Sequence, residues 1–216
     1  MDVNKCTDEE LISAILKGDI NLFGEVIRRY NQRMYRTAIA FGIQGDDCED
    51  LIQTSYISAY EKLYQFEGRA KFSTWLLKIL INECLMHKRR QKKNLDKFIS
   101  TDNININNKT MGNVKSPQNI LEEQEWLTKL EKEIEKMPEI YRTVFLMKEV
   151  EEMSIKEIAE CLLISEINVK VRVYRAKSIL KKYLKSGMKV KNILTFGNER
   201  CDRVVGNVLA FINKNK

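Results

Sequence analysis

Apolar residues recur every three to four positions through most of this chain, the period of a helix with one buried face. In "NLFGEVIRRYNQRMYRTAIAFG" the stripe is Phe23, Ile27, Tyr30, Met34 and Ala38. Ahead of it, "TDEELISAILKGD" opens on Thr7 with Glu10 three residues later, a capping box, and stops near Gly18. "DDCEDLIQTSYISAYEKLYQF" predicts a helix with Asp47 as its N-cap. There Ile52, Tyr56, Ala59 and Leu63 fall on an inward side, and Asp50, Gln53, Thr54, Ile57 and Glu61 on the other. "FSTWLLKILINECLMHKRRQKK" predicts a further helix capped by Ser73 or Thr74.

The texture changes at residues 94–119, which are rich in Asn, Lys, Ser and Thr and show little helical period. A stretch of this length predicts a tether between two domains. Residues 120–185 are helical again, with Pro138 dividing two helices. A tail from about Gly187 ends in an amphipathic stretch, "DRVVGNVLAFI". The chain has only 9 Gly and 2 Pro in 216 residues, which suits helices better than a sandwich or barrel. The expected fold is all-α: two small helical domains, 1–93 and 120–186, joined by a flexible linker, 94–119, with a helical tail at 187–216.

One segment resists this reading at first. "NVKVRVY", 168–174, alternates apolar and polar residues as a strand would. The alternation dies at Tyr174. A helical stripe of Val169, Val173, Ala176 and Leu180 instead runs on for three turns. The preceding segment carries a second capping box, Ser154 with Glu157, and its own stripe of Ile155, Ile158, Ala159 and Leu162. Two helices across a short break, the second one basic, describe a helix-turn-helix. Wrapped at about 100° per residue, the second helix turns Lys170, Val171, Tyr174, Arg175, Ser178 and Lys181 outward, with Arg172 and Lys177 on its flanks. Lys and Arg there suit guanine edges in a major groove, and Val171 suits a thymine methyl. Taken alone, the same helix also fits a solvated basic face of a bundle.

Charge sharpens the picture. The formal net charge is +7 and the pI about 9.1, which favours a polyanionic partner. The cysteines, Cys6, Cys48, Cys84, Cys161 and Cys201, are scattered and His87 stands alone, so no metal or cofactor site is expected. Scattered thiols predict a reducing, cytoplasmic setting. The opening "MDVNKCTDEE" does not read as a signal peptide. The apolar run "WLLKILI" is too short for membrane insertion. Phosphate loops and catalytic triads are not apparent, and an enzyme is not expected.

Two stretches together resemble a known family. "DCEDLIQTSYISAYEKLYQFEGRAKFSTWLLKILIN" resembles region 2 of the extracytoplasmic-function (ECF) RNA polymerase sigma factors, through Asp47, Glu49, Asp50, Leu51, Gln53, the "F-STWL" pattern at 72–76 and Asn82. "EKMPEIYRTVFLMKEVEEMSIKEIAECLLISEINVKVRVYRAK" is similar to their region 4, through Pro138, Tyr141, Arg142, "EIA" at 157–159, Val169, Lys170, Arg172, Arg175 and Ala176. The two occur in the family's order over roughly residues 8–185.

The resemblance implies an initiation factor that binds core RNA polymerase through the β′ clamp helices and the β flap. It implies promoter recognition, opening of the −10 element, and an anti-sigma factor as a further partner. The implied polymerase-binding residues are Asp47, Glu49, Asp50, Gln53, Thr54 and Ile57. Those implied for the −10 element are Phe66, Arg69, Lys71, Asn82, Lys88, Arg89 and Arg90. Aromatics that stack on splayed bases beside cations that hold phosphates fit that role. Phe72 and Trp75 are expected in the core instead. Those implied for the −35 element are Asn168, Lys170, Val171, Arg172, Tyr174, Arg175 and Lys177.

The departures are specific. Leu163 stands at the turn where the family usually has glycine; leucine costs about 1 kcal/mol in the left-handed conformation, so either the turn differs or packing of Leu163 compensates. Ile167-Asn168 replaces Gly-Thr, and Asn168 is expected to cap the second helix. Val171 replaces serine, and Ile81 replaces arginine. In the tail, Val204, Val205, Val208, Leu209 and Ile212 predict a small docking helix that covers part of region 4 or binds a regulator. The rival readings are a helix-turn-helix regulator acting without polymerase, and a basic helical adaptor for a protein or an anionic membrane.

Overall fold

The computed structural model describes residues 6–98, 118–181, 183 and 193–215. It is helical throughout, and no strand occurs among the described residues. Helix α1 (Asp8–Leu16) carries the expected capping box: Thr7 Oγ1 accepts from the Glu10 amide at 3.2 Å, and Glu10 Oε2 from the Thr7 amide at 2.8 Å. The chain turns at Gly18, whose φ of 110° only glycine adopts without strain. It then runs into α2 (Phe23–Ala40), where Phe23, Ile27, Met34 and Ala38 are all 0% exposed.

Helix α3 (Gly45–Glu61) starts one turn earlier than an Asp47 cap requires. Gln44 holds the cap position without a side-chain bond, and Asp46 and Asp47 sit in the first turn, where carboxylates complement the helix dipole. Its inward stripe is as expected: Ile52, Tyr56 and Ala59 are 0% exposed. Helix α4 (Phe72–Phe98) likewise begins before Ser73 and Thr74. The Lys71 carbonyl accepts from the Thr74 and Trp75 amides, and both hydroxyl residues are buried rather than capping. The expected linker, 94–119, overlaps α4 at 94–98 and the next helix at 118–119, and its residues 99–117 lie outside the described residues, as do 182 and 184–186 of the second expected domain and 187–192 of the tail.

Helices α5 (Gln118–Lys136) and α6 (Glu139–Phe145) flank Pro138, the N-cap of α6. A π-helical turn, Leu146–Val150, extends α6. Helices α7 (Ile155–Leu162) and α8 (Glu166–Ile179) form the helix-turn-helix. Both bonds of the Ser154–Glu157 capping box are present. The cap of α8 is Ser165, whose Oγ accepts from the Asn168 amide at 3.3 Å. Asn168 is therefore inside the first turn, exposed, and not the cap. Two cap-competent residues stand three apart here, and the structure uses the earlier one.

The halves pack on each other. Helix α7 lies against α4, and α6 with its π turn lies against α2. One apolar cluster runs from Phe23, Ile52 and Leu80 of the first half into Val144, Met147 and Ile158 of the second. Another joins Trp126, Leu130, Phe145, Ala176 and Leu180 to Ala40. Polar ties reinforce the seam. Thr143 Oγ1 and Arg142 Nε donate to the Ala40 carbonyl at 3.2 and 3.0 Å. Arg33 and Arg36 reach the Glu151 carboxylate at 3.1 and 3.2 Å, where the Glu151 side chain is 9% exposed.

The tail corrects one expectation. Helix α9 (Asn198–Lys214) docks on α2 and α3 of the first half, not on region 4. Val204, Val205, Val208 and Ile212 are buried there, as their spacing predicts. Upstream, Ile193 is buried among the α5, α6 and α8 side chains, and Phe196 packs on Tyr35 with ring centroids 4.8 Å apart. The segment thus bridges both halves before α9 begins.

Candidate nucleic-acid and partner interfaces

On α3 the six expected polymerase residues divide. Asp50 and Thr54 are exposed, Gln53 and Ile57 are half-buried, and Ile57 packs against the core. Asp47 lies 3.5 Å from His87 Nε2. Glu49 is only 9% exposed, because α9 covers it. The Arg203 guanidinium forks its two carboxylate oxygens at 2.5 and 2.7 Å. That bidentate bond, before burial and the Arg200 charge are counted, holds the Glu49 carboxyl below its ordinary range. One turn along, Asn207 Nδ2 donates to Gln53 Oε1 at 3.3 Å. Gly24 of α2 lets α9 approach: a Cβ there meets Leu209 Cδ1 at 3.3 Å and Val205 Cγ1 at 3.5 Å.

The stretch between α3 and α4 gathers its rings. Phe66, Phe72 and Trp75 form a triangle with centroids 5.3 to 5.6 Å apart, Phe72 and Trp75 stacked and Phe66 edge-on to Phe72. Phe72 is core, and Trp75 and Phe66 are half-buried against it. Tyr64 is the exposed ring of this loop, at 72% exposure, and periodicity gave no reason to single it out. Arg69 is almost fully exposed and pairs with its neighbour Glu67 at 2.6 Å. Asn82, Arg89 and Arg90 are exposed along α4.

Two of the expected −10 cations are tied to the second half. Lys71 lies 3.4 Å from Glu157 of α7. Lys88 bonds Glu139 of α6 and donates to the Phe41 carbonyl at 3.2 Å. Thr74 Oγ1 donates to Glu157 at 3.2 Å, and Lys78 pairs with Glu160 at 3.4 Å. Burial pushes the Glu157 carboxyl up. The Ser154 amide and hydroxyl, the Lys71 charge and the Thr74 hydroxyl outweigh it and hold the group at about 2.

The helix-turn-helix stands open on one side. Val169, Val173, Ala176 and Leu180 are buried as expected. Lys170, Arg175 and Lys177 are exposed, Arg172 is half-buried at the edge, and Val171 and Tyr174 are 43% and 76% exposed. Two of these cations have partners within the domain: Arg175 donates to the Tyr141 hydroxyl at 3.1 Å, and Lys177 meets Glu149 at 2.9 Å. Leu163, at φ 53° and ψ 44°, takes the left-handed position where glycine is usual. It is 88% exposed, so packing does not compensate for its backbone. With Ile167, 72% exposed, it adds an apolar margin beside Val171 that the sequence reading did not include.

Comparison with known proteins agrees with this layout. The family model for sigma-70 region 2 matches residues 26–94, and that for sigma-70 region 4 matches 127–180. Among curated proteins, the ECF RNA polymerase sigma factor SigW of Bacillus subtilis is 29% identical over 81% of this chain and 95% of its own length. The ECF RNA polymerase sigma-E factor of Haemophilus influenzae is 27% identical over 81% and 93%. Among solved structures, the sigma factor RpoE in complex with the anti-sigma factor NepR, from Bartonella quintana, has a similar fold, with a TM-score of 0.55 at 20% identity over 80% of this chain and 98% of that one. CnrH, solved with the cytosolic domain of CnrY, gives 0.54 at 22% identity over 84% and 99%. Both sigma-70 regions, in the family's order, fall on the two helical halves just described, and the chain belongs to the sigma-70 family as one of its extracytoplasmic-function factors.

Proposed function

We propose that this chain binds core RNA polymerase and directs it to promoters, reading a −35 element through α8 and opening a −10 element through the loop before α4 and along α4. The observation that carries this reading is the pairing, in one chain, of an acidic α3 face with a helix-turn-helix whose basic α8 side is open to solvent. An acidic strip with an apolar Ile57 suits a partner helix with basic and apolar residues. Cations with Val171 and Tyr174 between them suit base edges and phosphates of a duplex.

In this reading residues 1–93 serve polymerase and the −10 element, 120–186 serve the −35 element, and 94–119, whose two ends belong to α4 and α5, join them. The polymerase supplies the chemistry, and this chain supplies recognition. It works in the cytoplasm, where its DNA is, and no helix of the described residues is long and apolar enough to cross a membrane. An anti-sigma factor is the expected regulator. Support comes from the solved relatives, one in complex with the anti-sigma factor NepR and the other with the cytosolic domain of CnrY.

The test is transcription in vitro with purified core polymerase over a library of genomic promoters. Specific start sites that depend on this chain are expected. Absence of any promoter-dependent transcript defeats the reading. Binding to duplex DNA without recruitment of polymerase selects the regulator alternative instead.

A further inference from the structure

Helix α9 occupies part of the surface assigned above to the polymerase. Its Arg203 binds both oxygens of the Glu49 carboxylate and its Asn207 bonds Gln53, two of the six residues expected to meet the partner helix. Its apolar stripe, Val204, Val205, Val208 and Ile212, is buried on α2 and α3. A helix with its side chains is about 10–12 Å across. One laid over Glu49 and Gln53 denies that line to a second helix. The chemistry of α9 is also that expected of the external partner: an apolar stripe with arginine beside it, set against an acidic and apolar face.

We propose that α9 is a built-in competitor for the polymerase face of α3, which must leave Glu49 and Gln53 before core polymerase can bind. The inference rests on the function proposed above. Two features make α9 displaceable rather than a fixed part of the core. Of its polar anchors, Arg28 and Asp202, 2.5 Å apart, are 48% and 61% exposed, and such a pair contributes little and is screened by salt. The bidentate Arg203 bond to the 12%-exposed Glu49 side chain is the stronger tie, and a basic group of the partner helix can take its place. The remaining hold is the apolar stripe, which a partner helix of the same character replaces in kind. The surface is therefore shared by two occupants, one in cis and one in trans, and the free chain is in the cis-occupied state.

A cleavable cross-link decides the matter in the full-length chain. Arg28 and Asp202 join α2 to α9 and are outside the proposed polymerase contacts. In a chain with Cys6 and Cys201 replaced by serine, Arg28→Cys and Asp202→Cys are joined by a short bis-maleimide whose spacer contains a disulfide. Affinity for core polymerase is then measured before and after the spacer is reduced. The expected result is at least tenfold weaker binding in the joined form, recovered on reduction. Equal affinity in the two forms overturns the inference and leaves the proposed function standing. Failure of both forms, and of the unmodified chain, to bind core polymerase overturns the proposed function and the inference with it.

Discussion

Leu163 shows what a single residue can tell. The capping box and the following stripe marked a turn near it, and the sequence raised a choice between an altered turn and compensating packing. Neither is found: the backbone is left-handed and the side chain is almost wholly in solvent. Leu163→Gly is expected to stabilise the fold by about 1 kcal/mol, read as a rise in thermal midpoint, because glycine adopts this conformation without the Cβ penalty. A fall in the midpoint sinks this account. Glu157 gives a second test. Its folded pKa is depressed to about 2, so its contribution is present above the ordinary carboxylate range and is lost as pH falls from about 4.5 toward 2. Acid unfolding of the Glu157→Gln variant is expected to lack part of the wild-type pH dependence in that window. Parallel acid limbs in the two chains contradict it. Glu151 is a third. With two arginines on a nearly buried carboxylate, Glu151→Ala strands their charges and is expected to cost about 3 kcal/mol in denaturant unfolding. A loss under 1 kcal/mol contradicts that role.

Elements whose identity depends on local period were legible in the sequence. The buried faces of α2, α3 and α8 follow their stripes, with Tyr30 of α2 only half-buried, and the apparent strand at 168–174 is a helix whose alternation arises because Val171 is an outward apolar residue between two inward valines. Boundaries were less legible. Ser165 and Asn168 are both competent caps, and only the path of the chain out of Leu163 selects the earlier one. The destination of α9 was not legible at all. Its stripe shows that it docks, but Arg203 and Glu49 are 154 positions apart, and periodicity contains no information about which distant face receives a stripe. The function assigned to α8 has its own check. Arg172→Ala and Arg175→Ala are each expected to weaken −35 binding by about 1–3 kcal/mol where the arginine reads a base edge, with relaxed preference at one position. An equal loss on every sequence marks a phosphate contact instead. Val171→Ser removes the apolar contact and is expected to shift preference away from thymine at the facing position, measured by selection from a randomised −35 library. An unchanged preference removes Val171 from the reading set.

For the whole molecule, the two sigma-70 regions were visible in sequence order, but their mutual packing was not. It depends on pairs such as Lys71 with Glu157 and Lys88 with Glu139, and nothing in the local pattern around any of these residues points to its distant partner. These same pairs have a consequence for how the free protein meets chromosomal DNA. Each lysine neutralised by a phosphate releases a condensed counterion, and the number released sets how steeply binding falls with salt. A lysine already neutralised by a glutamate of its own chain releases less. The isolated chain should therefore bind random duplex with a shallower salt dependence than its cations suggest, and so be less readily sequestered by bulk genome. Glu139→Gln and Glu157→Gln should each steepen the log–log slope by up to about 0.9, measured by fluorescence anisotropy across a salt series.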